Sequence, residues 1–109
     1  MKGEALPSPF AEAVLDLVAR IPSGKVITYG DVAGCLAMGG PRAVGTVMAR
    51  YGGGVPWHRV LRAGGYPPDG HEVEARKRYR SEGTPMRGDR VDLDLARWTP
   101  SQDHLGSQE

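Results

Sequence analysis

Few residues in this 109-residue chain are suited to chemistry, and their types limit what they can do. Three histidines, His58, His71 and His104, stand far apart and match no metal-ligand spacing, so no metal is expected. Cys35 is the only cysteine, which excludes an internal disulfide; within a predicted helix it reads as a small buried core residue. The informative cluster is Pro56-Trp57-His58-Arg59-Val60. His58 can move a proton, but Trp57 beside it offers no nucleophile. Glu82 falls in the last turn of a predicted helix, where negative charge opposes the helix dipole, so it needs either solvent or a specific partner.

Charge points to an anionic partner. The net charge of +1 conceals an asymmetry: between Arg20 and Tyr66 six bases, Arg20, Lys25, Arg42, Arg50, Arg59 and Arg62, stand against the single acid Asp31. Eleven of the 14 bases are Arg, whose planar fork suits phosphate and base edges, so nucleic acid is a natural partner. A solvated basic face is the plainer reading of the same residues.

The secondary structure around these groups is legible in outline. Ser8 and Pro9 open a helix whose apolar stripe is Phe10, Val14, Leu17, Val18 and Ile21. Lys25 to Thr28 reads as a short extended piece. Thr28 with Asp31 is a capping-box pattern for a second helix, which carries Val32, Ala33 and Leu36 inward and ends at Gly39-Gly40. Pro41 opens a third helix with Val44, Val47, Met48 and Tyr51 on one face and Arg42, Ala43, Gly45, Thr46 and Arg50 on the other. Two short helices joined by a glycine turn suggest a helix-turn-helix, and Gly45, which costs about 1 kcal/mol relative to Ala in a helix, implies close approach by something. An ordinary helical pair with a packing glycine fits equally well. Gly52-Gly53-Gly54 stops the third helix, Val55 to Leu61 reads as extended and then apolar, and a loop from Gly64 to Gly70 precedes a fourth helix over 71–82. Its pairs Glu72 with Arg76 and Glu74 with Arg78 mark a solvated face. Val91 to Leu95 alternates like an edge strand.

Three segments in this order carry a resemblance: Ile21-Pro22-Ser23-Gly24-Lys25-Val26 with Thr28-Tyr29-Gly30, then Arg42-Ala43-Val44-Gly45, then Pro56-Trp57-His58-Arg59-Val60. Together they resemble the DNA-binding domain of the O6-alkylguanine-DNA alkyltransferases, whose signature is Pro-Cys-His-Arg-Val. More closely the chain resembles the alkyltransferase-like proteins, in which Trp commonly replaces that cysteine. The likeness spans roughly Phe10 to Gly83, and Arg97-Trp98-Thr99-Pro100 is similar to the termini of some alkyltransferase-like proteins.

The resemblance implies an α+β, small winged-helix-like domain containing a helix-turn-helix that binds DNA. It implies that the third helix enters the minor groove through the small residues Ala43, Gly45 and Thr46, with Arg50 on a phosphate. It makes Arg42 the finger that fills the stack when a base is extruded, and Tyr29 the residue that turns the neighbouring phosphate. Trp57 and Val60 belong to the lesion pocket, supported by Pro56, His58 and Glu82, and Tyr66 corresponds to a pocket tyrosine. With the nucleophilic cysteine replaced, no catalytic residue is expected. The implied function is a non-enzymatic sensor that flips O6-alkylguanine out of duplex DNA and marks it for nucleotide excision repair proteins. A winged-helix transcription regulator and an alkyltransferase with an unrecognised nucleophile are the alternatives.

Length and composition bound this reading. The chain has one domain's worth of residues. Leu, Ile, Val and Phe total only 21, yet the low net charge argues for a thin-cored fold over disorder. Residues 1–100 are expected to form one domain, and the polar stretch 101–109 a disordered tail. No apolar run approaches a membrane span, and Met1 to Phe10 lacks the apolar stretch of a signal peptide, so a cytoplasmic monomer without cofactor is expected.

Overall fold

The computed structural model describes residues 8–100, so the expected 101–109 tail lies outside the described residues. Ser8 caps the first helix, α1 (Pro9–Ala19), by accepting a hydrogen bond from the Ala11 N–H at 3.1 Å, and Pro9 occupies the first turn, where its missing N–H is not needed. The helix buries Ala11, Val14, Leu17 and Val18. After the Pro22–Lys25 turn the chain runs through β1 (Ile27–Thr28) directly into α2 (Tyr29–Leu36). The capping box is present: the Thr28 Oγ1 accepts from the Asp31 N–H and the Asp31 carboxylate accepts from the Thr28 N–H, both at 3.0 Å.

α2 stops earlier than the glycine pair suggests. Ala37 adopts the left-handed conformation, with φ 54°, and the Met38 N–H bonds back to the Ala33 carbonyl at 3.3 Å, closing the helix before Gly39 is reached. Gly39, with φ +65°, then lies against Phe10, where a Cβ would stand 3.0 Å from the ring. α3 (Pro41–Tyr51) follows and buries Val44, Val47 and Met48 against α1 and α2, forming the helix-turn-helix pair. Cys35 is exposed on α2, outside the core expected for it.

The centre of the domain is a short parallel ladder. β1 pairs with β2 (Val60–Leu61), Ile27 opposite Val60 and Thr28 opposite Leu61. On the other side Val26 bridges to Arg97: the Val26 N–H donates to the Ala96 carbonyl at 2.9 Å, and the Trp98 N–H donates to the Val26 carbonyl at 2.7 Å. Trp98 thereby reaches the helical core. Segment 55–59, read as extended, forms a turn and a 3-10 turn over Trp57–Arg59 before β2.

α4 (Glu72–Glu82) ends at Gly83, φ +70°, and packs Ala75 and Tyr79 with Val26, Leu61, Val91 and Ala96 into a second apolar cluster. A hairpin of β3 (Met86–Arg87) and β4 (Arg90–Val91) follows. The edge strand expected over Val91 to Leu95 ends at Val91, because the Asp92 carboxylate accepts from the Asp94 N–H at 3.0 Å and caps α5 (Leu93–Ala96). Among the described residues no helix is long and apolar enough to cross a membrane.

Candidate functional site

A cavity of about 490 Å³ opens where the helix-turn-helix meets the loops that follow it, within the range of about 300–1,000 Å³ usual for small-molecule sites. α2 contributes its first residue, Tyr29, and α3 contributes Gly45, Met48 and Ala49. Gly52 and Gly53 continue that wall. Trp57 and Arg62 form another side, with Pro68, Asp69 and His71.

Gly45 now has a reason that the sequence left open. A Cβ built there meets nothing within 4 Å, so the glycine is not packing another helix; it leaves α3 bare beside the cavity. On the same helix Arg42 is exposed in the first turn, Thr46 is exposed with its hydroxyl donating to the Arg42 carbonyl at 3.1 Å, and Ala43 is half-buried. Arg50 is exposed, its guanidinium carbon 6.0 Å from the Tyr51 ring centroid.

Trp57 sits at the seam of both apolar clusters while facing the cavity. Its ring meets His71 at 5.5 Å between centroids, and His58 edge-on at 5.7 Å. Directly behind it His58 is 2% exposed and its Nε2 lies 2.7 Å from a Glu82 carboxylate oxygen. Glu82 is further held by Arg59, whose Nε and Nη2 donate to its two oxygens at 3.1 and 2.7 Å, and by the Gly24 N–H at 3.2 Å. Burial alone would raise the Glu82 pKa; the hydrogen bonds from Arg59, His58 and Gly24 outweigh it and bring it to about 2. Burial lowers the His58 pKa despite the Glu82 carboxylate, so the imidazole is neutral near pH 7. Its Nε2 then carries the proton toward Glu82, which leaves Nδ1 an acceptor; among the described residues this buried atom has no hydrogen-bond partner. The Tyr79 hydroxyl fixes the backbone here, donating to the His58 carbonyl at 2.7 Å.

The other expected site residues are distributed less simply. Val60 is fully buried opposite Ile27 and is not on the cavity wall: alternation in β2 turns its side chain into the helical core. Pro56 is half-buried ahead of Trp57 and also off the wall. Tyr29 reaches the cavity; burial raises its hydroxyl pKa, with Arg62 partly offsetting the shift. Tyr66, expected in the pocket, is 41% exposed and does not line the cavity.

Arg59, counted above among the anion-facing bases, is turned inward: besides Glu82 it donates to the Ile21 carbonyl at 2.8 Å. Sequence reasoning passed over Arg62, Asp69 and His71 as cavity residues. Arg62 had only its place in the basic run, and the glycine and proline loop gave no period by which to aim Asp69 or His71. Glu72, paired in sequence with Arg76, instead lies 3.7 Å from Arg62, while the Glu74–Arg78 pair is present at 3.2 Å.

Comparisons with known proteins agree with this architecture. The family profile described as 6-O-methylguanine DNA methyltransferase, DNA binding domain, matches residues 9–84. The Escherichia coli protein named DNA base-flipping protein is 40% identical over 97 residues, covering 82% of this chain and 74% of its own. The crystal structure of Schizosaccharomyces pombe Atl1 in complex with damaged DNA containing O6-carboxymethylguanine superposes with a TM-score of 0.75 at 30% identity, covering 88% of this chain and 100% of that one. The O6-methylguanine-DNA methyltransferase of Pyrococcus kodakaraensis gives a TM-score of 0.59 at 36% identity, over 71% of this chain and 47% of that one.

Proposed function

Because the chain belongs to the 6-O-methylguanine DNA methyltransferase DNA-binding-domain family, we propose that it is a non-enzymatic sensor of O6-alkylguanine in duplex DNA. It acts as a monomer, binds through the minor groove, flips the damaged base into the cavity beside Trp57, and holds it for nucleotide excision repair proteins. The observation that carries this reading is the cavity wall itself. At the position where the resembled transferases have a nucleophilic cysteine, Trp57 faces the cavity, with the buried His58–Glu82 pair retained behind it. The chain's single cysteine is exposed on α2 and does not line the cavity, so no thiol stands where an alkyl group would be received.

The supporting physics concerns access and stacking. The minor groove is about 6 Å wide, so a helix nears its floor only through small side chains, which Ala43, Gly45 and Thr46 supply. Arg42 at the exposed start of α3 is suited to fill the vacated stack, and Tyr29 lies where α2 meets the cavity to turn the phosphate beside it. An aromatic wall binds a flipped base by about 1 to 3 kcal/mol. Pro56, His58 and Glu82 hold that wall, and Val60 supports it from the core.

Titration of the protein with two identical duplexes, one carrying O6-methylguanine, tests this reading together with intact-mass analysis afterwards. Tighter binding of the alkylated duplex with unchanged protein mass is expected. A methyl adduct on the protein would identify a transferase; equal affinity with a preferred base sequence would identify a transcription regulator.

A further inference from the structure

Tyr66 lies off the cavity wall, within cation–π distance of two arginines. Its ring centroid lies 5.9 Å from the guanidinium carbon of Arg62 and 5.8 Å from that of Arg90, and the ring remains 41% exposed. The two arginines come from distant parts of the chain. Arg62 follows β2 and lines the cavity; Arg90 begins β4, beyond the 9–84 segment that the family profile matches.

Local structure makes one unit of these pieces. The Arg62 N–H donates to the Tyr66 carbonyl at 2.9 Å, and the Gly65 N–H donates to the Arg62 carbonyl at 3.1 Å, which closes a tight turn. Gly64 and Gly65 take φ +86° and +96°, and a Cβ on Gly65 would collide with the Val91 carbonyl. The turn is therefore seated directly on β4. Arg62 is anchored by its Nε, which donates to the Pro67 carbonyl at 2.7 Å, and by Glu72 at 3.7 Å. Arg90 donates to the Gly64 carbonyl at 3.3 Å; among the described residues no carboxylate lies within ion-pair distance of it. A guanidinium has five N–H donors, so most of the donor capacity of Arg90 is unused within the described residues.

Resting on the duplex-DNA reading above, we propose that Arg62, Tyr66 and Arg90 form a second contact surface, which grips the sugar-phosphate backbone beside the cavity. Arginine forks match phosphate oxygens, and an interleaved aromatic ring gives the adjoining sugar or base a face to rest on. Position favours this partner over an acidic protein. Arg62 both lines the cavity and flanks Tyr66, so a strand that sends a nucleotide into the cavity continues past this ring. Every nucleotide of a strand carries a phosphate, so each guanidinium group has a backbone charge to meet.

Binding of the unmodified and the O6-methylguanine duplex to Arg90→Gln and Arg90→Lys, measured across a salt gradient, tests this. Gln keeps a donor for the Gly64 carbonyl and loses the charge; Lys keeps the charge. Arg90→Gln is expected to reduce the slope of log affinity against log salt by about 1, equally on both duplexes, in a protein that still folds and loses only the small stability of the Arg90–Tyr66 contact. Arg90→Lys is expected to retain the slope. An unchanged slope in Arg90→Gln overturns the proposal, and so does equal loss of slope in both variants, which would make the contact one of packing. Loss confined to the alkylated duplex also overturns it. Failure of the sensor reading is distinguishable, because the unsubstituted protein would then show no preference between the duplexes; failure to bind either duplex overturns both.

Discussion

The guanidinium carbon of Arg78 lies 5.3 Å from the centroid of the Trp57 ring, so α4 backs the aromatic wall of the cavity. Arg78 is itself steadied by Glu74, one turn earlier. A cation over an exposed ring contributes about 0.5 to 1 kcal/mol. Arg78→Ala should therefore lower the preference for alkylated over normal duplex by about two- to five-fold, read as the ratio of the two affinities. An unchanged ratio would mean that the core contacts alone orient Trp57.

The Glu82 cluster predicts a specific acid sensitivity. His58 and Glu82 both titrate lower in the fold than in the unfolded chain, so in each case the unfolded state takes up its proton first as pH falls. Stability should decline below about pH 6.5 through His58. It should fall again between 4.5, the ordinary Glu value, and about 2 through Glu82. Glu82→Gln should cost about 1.5 to 3 kcal/mol at pH 7, as loss of hydrogen bonds to a charged group does. Urea unfolding at a series of pH values checks this: the gap between the two proteins should narrow through the lower range, and a constant gap would contradict the assignment.

Gly45 separates stability from function. With nothing within 4 Å of an added Cβ, Gly45→Ala should fold normally and gain up to about 1 kcal/mol from helix propensity. If the bare surface of α3 meets DNA, the same change should weaken duplex binding. A more stable protein with undiminished affinity would remove Gly45 from the interface.

Arg42 and Arg50 share α3 but have different proposed tasks. Arg50→Ala should weaken both duplexes alike and reduce the salt slope by about 1. Arg42→Ala and Tyr29→Ala should instead suppress the signal of a fluorescent base analogue at the lesion. Persistence of that signal in Arg42→Ala would show that the base leaves the stack without the finger.

What was legible in the sequence follows from how local each signal is. Ser8, Pro9, the Thr28–Asp31 box and Pro41 act within one helical turn, and they place the starts of α1, α2 and α3 correctly. The end of α2 was missed because Ala37, an unusual left-handed residue, closes it ahead of the more conspicuous glycines. The strand read over Val91 to Leu95 failed because Asp92 was read as one polar member of an alternation when it is a helix cap. At the site, motif residues Trp57 and His58 could be singled out, whereas the inward turn of Arg59 depends on Glu82 and the Ile21 carbonyl, 23 and 38 residues away. Basic charge in a sequence does not say which arginine a distant carboxylate will claim. The role of Arg97-Trp98 is likewise non-local: Arg97 donates to Asp31 at 3.1 Å, tying the end of the described chain to the α2 cap.

Normal and alkylated duplexes present the same phosphates, so the proposed lesion preference must arise in the pocket, at Trp57. Trp57 also touches both apolar clusters, so Trp57→Ala will lower stability, by less than the about 3 to 5 kcal/mol that loss of a fully buried Trp costs. The decisive measurement is a matched pair of titrations, unmodified and O6-alkylguanine duplex, on the unsubstituted protein and on folded Trp57→Ala. An additional loss of about 1 to 3 kcal/mol is expected on the alkylated duplex, growing with the size of the alkyl group. Equal losses on both duplexes would contradict this.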